Sequence, residues 1–454
     1  MLPRMLSLCE TAHPYYSKLF SQLGVTAADF NSVEDLERLP VLSKRVYMND
    51  PEAFRLQPTE SQQLTLEETT LADVIYTAGS TGRPTPFYDT VHDRLARIAH
   101  IRRAAEIAGV TRSDTVMNLF PLSAVPHQGF LSAMWGATAI GAKLLSGLTG
   151  RSYQPFDVHR RMDDAVGMIE RERVTVLWGI TAYVRRIIVR ADELGADFSS
   201  VRLALMMGEP CPVAMRQDVR SRLEALGADE PIIGNGYGYT EMQAPATECV
   251  ELGGRHQAAP EQFYFEVIDP ETGAHLKDGE PGLLLISHLN RRGTVLLRYE
   301  VGDIVAIDHS PCPHCGSTEP RFIGDPYRAD GLTKVNGTLV NPASLVDQLA
   351  GVLNEGAKEF QLVIRKEKTD DLYSTDILLL RLATDPAMQE PLTRSVSAKV
   401  AAGLEVVPEI EFIPSDSFGE IARGYKFHRF IDERPAQSAA LPKDATESCG
   451  GTPP

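Results

Sequence analysis

Two stretches of the sequence group side chains whose types and spacing could do chemistry. Ile75-Tyr76-Thr77-Ala78-Gly79-Ser80-Thr81-Gly82-Arg83-Pro84 follows an apolar run and sets two glycines, two hydroxyls and a cation side by side. Small residues let backbone N–H groups approach phosphate oxygens, Ser80 and Thr81 add donors, and Arg83 adds charge. The spacing of Gly79 and Gly82 matches neither a Walker loop nor a Rossmann fingerprint. Read alone, the segment fits a phosphate cradle or a polar surface turn. The second group is Cys249, His256, Cys312 and Cys315, a C-x6-H followed by a C-x2-C. Zinc takes four such ligands tetrahedrally, and a closed site of this kind is structural. The same spacing admits a redox pair at Cys312 and Cys315, four unconnected residues, or His314 in place of His256.

The rest of the composition narrows the setting of these residues. The chain has 454 residues, 43% hydrophobic and 23% charged, an ordinary globular balance that suggests two or three domains. A formal net charge of −16 argues against nucleic acid or an anionic membrane as partner, while leaving room for one anionic ligand in a small site. Six cysteines are too sparse for a disulfide scaffold at this length. Met1-Leu2-Pro3-Arg4 precedes no long apolar core, and the longest apolar stretch, Leu131–Leu145, is interrupted by Lys143 and too short to span a bilayer. The expectation is a soluble, cytoplasmic protein, monomeric or a homodimer.

The reactive groups need a frame. Residues 1–50 read as short helices with polar breaks. From Leu71 to about Pro326 helical and strand-like text alternates, with buried strands at Val174–Trp178 and Leu203–Met207 and a helix at Ala214–Leu226. This pattern predicts an α/β core of parallel strands. Tyr264–Ile268 and Leu283–His288 alternate like antiparallel strands around Glu271-Thr272-Gly273. Gly324–Gly331 reads as a linker to a smaller unit with strands at Gln361–Arg365, Ile377–Ala383 and Glu409–Ile413 and a helix at Leu392–Ala402. The tail, 435–454, reads as disordered.

The glycine-rich loop resembles the phosphate loop of the adenylate-forming superfamily of acyl-CoA synthetases, adenylation domains and luciferases. Three more segments resemble that superfamily's motifs in the same order: Gly236-Tyr237-Gly238-Tyr239-Thr240-Glu241, Arg298-Tyr299-Glu300-Val301-Gly302-Asp303, and Arg328-Ala329-Asp330 with Lys334 and Gly337. Asp35-Leu36-Glu37-Arg38-Leu39-Pro40 with Ser43-Lys44, Gly208-Glu209-Pro210, Thr247-Glu248-Cys249, and Lys426 with Arg429, Asp432 and Arg434 resemble the phenylacetate–coenzyme A ligase branch. The likeness covers roughly 14–434.

The resemblance implies a large N-terminal α/β domain, 1–326, with parallel-sheet layers and a small β-barrel-like part. A small mobile C-terminal α+β domain, 327–434, would swing about Asp330. It implies attack of a carboxylate on the α-phosphate of ATP, with pyrophosphate leaving. Ser80, Thr81, Gly82 and Arg83 would hold the β- and γ-phosphates and Thr240 the α-phosphate. Gly208 and Glu209 would border the nucleotide, while Tyr237 and Gly238 would face adenine. Asp303 would hold the ribose, Arg328 would add a ribose or phosphate contact, and Glu241 would bind Mg2+, a hard cation that prefers oxygen. Lys426 would bridge carboxylate and α-phosphate. Phe120, His127, Trp178, Met206 and Gly236 would line an acid pocket suited to an aromatic ring, with Trp135 and Ile180 nearby. Cys249, His256, Cys312 and Cys315 would hold zinc as a brace behind Glu241.

The chain departs from the family pattern in several places. Arg83 replaces a lysine, Val301 a hydroxyl residue and Gly331 an acid. Met207 replaces a glycine, which narrows the pocket near the adenylate. The run Ala422–Lys426 is one residue short before the lysine, and His256 lacks the acidic pair that usually follows it. The leading expectation is an aryl- or arylacetyl-CoA ligase. Two others stand beside it: transfer to a carrier-protein thiol or an amine, and a nucleotide-binding regulatory protein without turnover.

Overall fold

The computed structural model describes residues 1–76, 85–122, 128–149, 159–209, 211–329, 333–335, 338–340, 342–353, 356–367, 376–401, 407–414, 417–418 and 429–434. One sheet of 11 strands organises its larger part. Five parallel strands, Lys143–Ser146, Thr115–Leu119, Val176–Ile180, Leu203–Met207 and Ile232–Tyr237, form one half. Val176–Ile180 and Leu203–Met207 are apolar at almost every position because both faces are covered. Helices Met162–Arg171, Thr181–Leu194 and Val213–Ala225 cover one face, and Val91–Ile107 with Gln128–Ile140 the other.

Beyond Ile232–Tyr237 the sheet turns antiparallel through Ala246–Glu248, Arg255–His256, Arg321–Arg328, Tyr299–Asp308, Gly282–His288 and Phe263–Ile268. Leu2–Ala12 and Pro14–Leu23 pack on this half in a core with Phe54, Phe87, Tyr299 and Phe322. The strand expected at Val174–Trp178 begins two residues later, because the Val174 N–H closes the preceding helix on Ile169 O and the Thr175 hydroxyl donates to Asp114.

The expected linker Gly324–Gly331 is corrected over its first five residues. They belong to strand Arg321–Arg328, where Ile304 pairs with Tyr327 and Asp303 with Arg328. Glycine and proline gave this stretch turn composition, but the neighbouring strand supplies hydrogen-bond partners that hold it in the sheet.

A separate sheet of four strands follows, in the order Glu409–Phe412, Asp376–Thr384, Ala357–Lys366, Phe430–Asp432. Helices Pro342–Leu353 and Gln389–Ala401 close its core. Arg185, on a helix of the larger sheet, donates to Asp218 at 2.6 Å and to Lys358 O at 3.1 Å, tying this sheet to the larger part. Among the described residues no helix is long and apolar enough to cross a membrane.

Candidate active site

Strand Ile232–Tyr237 ends where the parallel half meets the antiparallel half, and its last side chain starts a polar wall. The Tyr237 hydroxyl donates to Asp303 Oδ2 at 2.6 Å. The same carboxylate meets Arg328 Nη1 at 3.3 Å through Oδ1, and Arg328 also donates to Val301 O at 3.2 Å. The antiparallel register sets Asp303 opposite Arg328. Gly302 is needed between them: its φ is +84°, and a Cβ there would stand 2.8 Å from the Arg328 guanidinium. Burial, then the Asp303 charge, pushes the Tyr237 phenol well above its ordinary pKa, so the hydroxyl keeps its proton and donates. The wall thus offers an aromatic ring, a carboxylate able to take two donors, and a guanidinium. Gly238 is exposed beside it and Thr240 half-buried.

Glu241 follows in a tight turn, with Met242 and Gln243 N–H both donating to Tyr239 O. Its carboxyl is buried, and burial raises its pKa against the opposing pull of Lys44 and Tyr299. A buried carboxylate that pays for desolvation gains most from a hard cation, so the residue fits Mg2+. Lys44 comes near because Leu42 bridges to Tyr299 and Glu300 N–H donates to Leu42 O. His288, expected only as the end of a strand, holds the turn from behind. Its Nδ1 accepts from Leu296 N–H at 3.2 Å, so the proton is on Nε2, which donates to Glu241 O at 3.0 Å. Burial, with Arg291 close by, takes this imidazole down to about 3 and keeps it neutral.

The expected acid pocket divides by strand parity. Trp178, Phe120 and Met207 share one apolar face with Ile180, and Trp178 Nε1 reaches Met207 Sδ at 3.5 Å. Met207 presses on Gly236, where a Cβ would stand 2.6 Å from its Cε. Met206 lies on the opposite face, buried with the helices around Val184 and Val219, because successive side chains alternate across a strand. Met206, expected to line the pocket, therefore faces away from it, and Met207, expected to narrow the pocket, lies beside Gly236. Gly208 has a φ of +81°, and the carbonyl of Glu209 accepts from the Thr181 hydroxyl at 3.2 Å. Ser80, Thr81, Gly82, Arg83, His127, Asp330 and Lys426 lie outside the described residues, as does the tail 435–454.

The four cysteine and histidine residues converge. Cys249 Sγ is 3.8 Å from Cys312 Sγ, and His256 Nε2 is 3.2 Å from Cys249 Sγ and 3.6 Å from Cys315 Sγ. All four ligand atoms lie within 4.8 Å of one another. A tetrahedral ion with Zn–S of about 2.3 Å and Zn–N of about 2.0 Å places its ligands about 3.5–3.8 Å apart, so the donor set fits zinc. The sulfur pair is far beyond the roughly 2.05 Å of a disulfide. Although burial opposes it, N–H groups of Cys315 and His314 bring the Cys312 thiol down to about 7. His314 itself is exposed, and His256 occupies the fourth corner. Glu248, beside Cys249, is fixed by a buried two-point pair with Arg216 at 2.8 and 2.9 Å.

The chain is similar to several known proteins. A phenylacetate–coenzyme A ligase of Thermus thermophilus is 26% identical over 377 residues, 82% of this chain and 78% of the relative. One of Aromatoleum evansii is 22% identical over 432 residues, 93% of this chain and 91% of the relative. Among solved structures, 2-hydroxyisobutyryl-CoA ligase in the postadenylation state shares the fold with a TM-score of 0.72, at 22% identity, over 95% of this chain and 88% of that one. The model of the AMP-binding enzyme family matches residues 18–291, more than half of the sequence. The chain belongs to the AMP-binding enzyme family.

Proposed function

We propose that this AMP-binding enzyme activates a carboxylic acid with ATP and passes the acyl group to coenzyme A. The observation that carries the reading is the wall of Tyr237, Asp303 and Arg328 beside the buried Glu241. In the first half-reaction a carboxylate oxygen bonds to the α-phosphorus of ATP as the bond to pyrophosphate breaks. In the second, the thiol of coenzyme A attacks the acyl carbon, loses its proton, and AMP leaves.

The enzyme's part is to hold two anions together and meet charge where it spreads. Asp303 would accept the ribose hydroxyls, exchanging its bond from Tyr237 for bonds from the ligand, while the Tyr237 ring borders adenine. Arg328 would hold Asp303 and the sugar. Thr240 would donate to the α-phosphate. Glu241 would hold Mg2+, which when bound neutralises phosphate charge. Ser80, Thr81, Gly82 and Arg83 would hold the outer phosphates, and Lys426 the carboxylate.

The phenylacetate–coenzyme A ligase likeness and the face made by Phe120, Trp178 and Met207 support an aromatic acid. The separate four-stranded sheet supports a division into 1–326 and a small domain, 327–434, that turns about Asp330 between half-reactions. Zinc on Cys249, His256, Cys312 and Cys315 would brace the strands behind Glu241. Incubation with ATP, Mg2+, coenzyme A and aromatic acids should yield AMP and an acyl-CoA thioester. AMP release with the coenzyme A thiol left free for every acid would overturn the acceptor.

A further inference from the structure

Gln243 stands two residues after Glu241 with a φ of +62°, in the left-handed region that glycine occupies without cost. A glutamine held there must be over-determined by its surroundings. Here every polar group of the residue is engaged. Its N–H donates to Tyr239 O at 3.0 Å, and its carbonyl accepts from Gln128 Nε2. Its Nε2 donates to Asp89 Oδ1 at 2.7 Å, and its Oε1 accepts from Arg291 Nη1. The residue is 1% exposed.

Its partners are themselves fixed. Asp89 is wholly buried, accepts from Arg291 Nη2 at 2.5 Å and forms an ion pair with Arg97, whose Nη1 lies 2.8 Å from its other oxygen. Asp89 sits on strand Pro86–Thr90, which pairs with Leu71–Tyr76. Arg291 lies three residues beyond His288, the residue that holds Glu241 O. Both sides of the Glu241 turn are therefore pinned: the carbonyl of Glu241 by His288, and the next turn residue but one by Asp89 and Arg291.

We propose that Gln243 is a positioning residue: through Asp89 and Arg291 it holds the Glu241 carboxylate where Mg2+ bound to the ATP phosphates must be met. The proposal rests on the nucleotide reading given above. Groups that orient a metal ligand without touching the metal typically change metal affinity 10- to 100-fold when removed.

The test compares the full chain with Gln243→Met, which keeps the volume and loses both side-chain bonds, and with Gln243→Gly, which the backbone conformation favours. Calorimetric titration gives the affinity for ATP with and without Mg2+. Acid-dependent pyrophosphate exchange gives the KM for MgATP and for the acid. The expected result is a rise of roughly tenfold or more in the Kd and KM for MgATP and in the Mg2+ concentration for half-maximal rate. ATP binding in the absence of Mg2+ and the KM for the acid should stay within about twofold of wild type. Unchanged MgATP affinity in both variants would overturn the proposal, as would an equal loss of affinity for MgATP, free ATP and acid. Failure of both variants to fold would also overturn it, since Gln243 would then serve stability alone. A wild-type chain that binds MgATP without exchange would fail the proposed activity and leave the calorimetric comparison to decide this one.

Discussion

The Cys/His cluster and the wall of Tyr237, Asp303 and Arg328 proposed to hold the nucleotide stand at opposite ends of one strand. Arg321 pairs with His256 at the start of Arg321–Arg328, and Arg328 meets Asp303 at its end. In the cluster four ligand atoms already face one point, and Cys312 is held by local turn bonds such as Gly316 N–H to Cys312 O. In the wall the polar groups face one another: Tyr237 occupies one oxygen of Asp303 and Arg328 the other. A ligand at the wall must exchange bonds that already exist, whereas an ion at the cluster completes a shell. The cluster should therefore govern stability and the wall affinity and rate.

The largest expected effect is on rate, at the wall. Glu241→Gln keeps the volume and removes the charge, so exchange should fall by on the order of a hundredfold or more, while the melting temperature holds or rises because burial disfavours the charged form. Near-normal exchange in that variant would remove Glu241 from the site.

Asp303→Asn should raise the KM for ATP about 10- to 100-fold, the worth of a hydrogen bond to a charged group, with little change in the KM for the acid. A matching rise for both substrates would place Asp303 in the scaffold instead. At the other end of the strand, the purified protein should carry about one zinc per chain. Cys312→Ser or chelation should lower the melting temperature by several degrees and leave the KM for ATP within about twofold. No zinc, with Cys312→Ser as stable as wild type, would remove the metal from the account.

Met207→Ala should admit bulkier acids next to Gly236, at a stability cost of about 2–5 kcal/mol for the space it opens. An unaltered acid profile would mean the acid binds elsewhere.

Acid should also weaken the fold that carries both sites. His13 lies at about 4, and His100 and His288 at about 3, all through burial, against 6.5 in the unfolded chain. The unfolded chain then takes up protons first as pH falls. The stability that these neutral imidazoles preserve is complete above pH 6.5 and drains away toward pH 3–4. Each contributes up to about 1.4 kcal/mol per pH unit across that window. Denaturant midpoints should drop from about pH 7.5 to about pH 5.5. A flat profile would contradict the buried neutral forms.

Much of this was legible in the residues. Buried parallel strands announce themselves as short apolar runs, and Leu203–Met207 was read with its own ends. Tyr237, Asp303 and Arg328 could be named from ordered motifs, and the structure brings those three together. What joins them was not legible. The Tyr237–Asp303 bond spans 66 residues and the Gln243–Asp89 bond 154, and no periodicity reports such pairs. His288 looks like any strand-end histidine until Leu296 and Glu241 surround it. Met206 and Met207 are the same residue type side by side, so only the layer that each faces separates them. The one signal that pointed past the motifs was Met207 standing where the resembled family has glycine.

Acid-dependent exchange of labelled pyrophosphate into ATP, run across a panel of aromatic acids with Mg2+ and no coenzyme A, tests the central claim most directly. The account predicts exchange that needs the acid and is lost in Glu241→Gln. Complete absence of exchange from a folded, ATP-binding protein across the whole panel would contradict it and leave a nucleotide-binding protein without turnover.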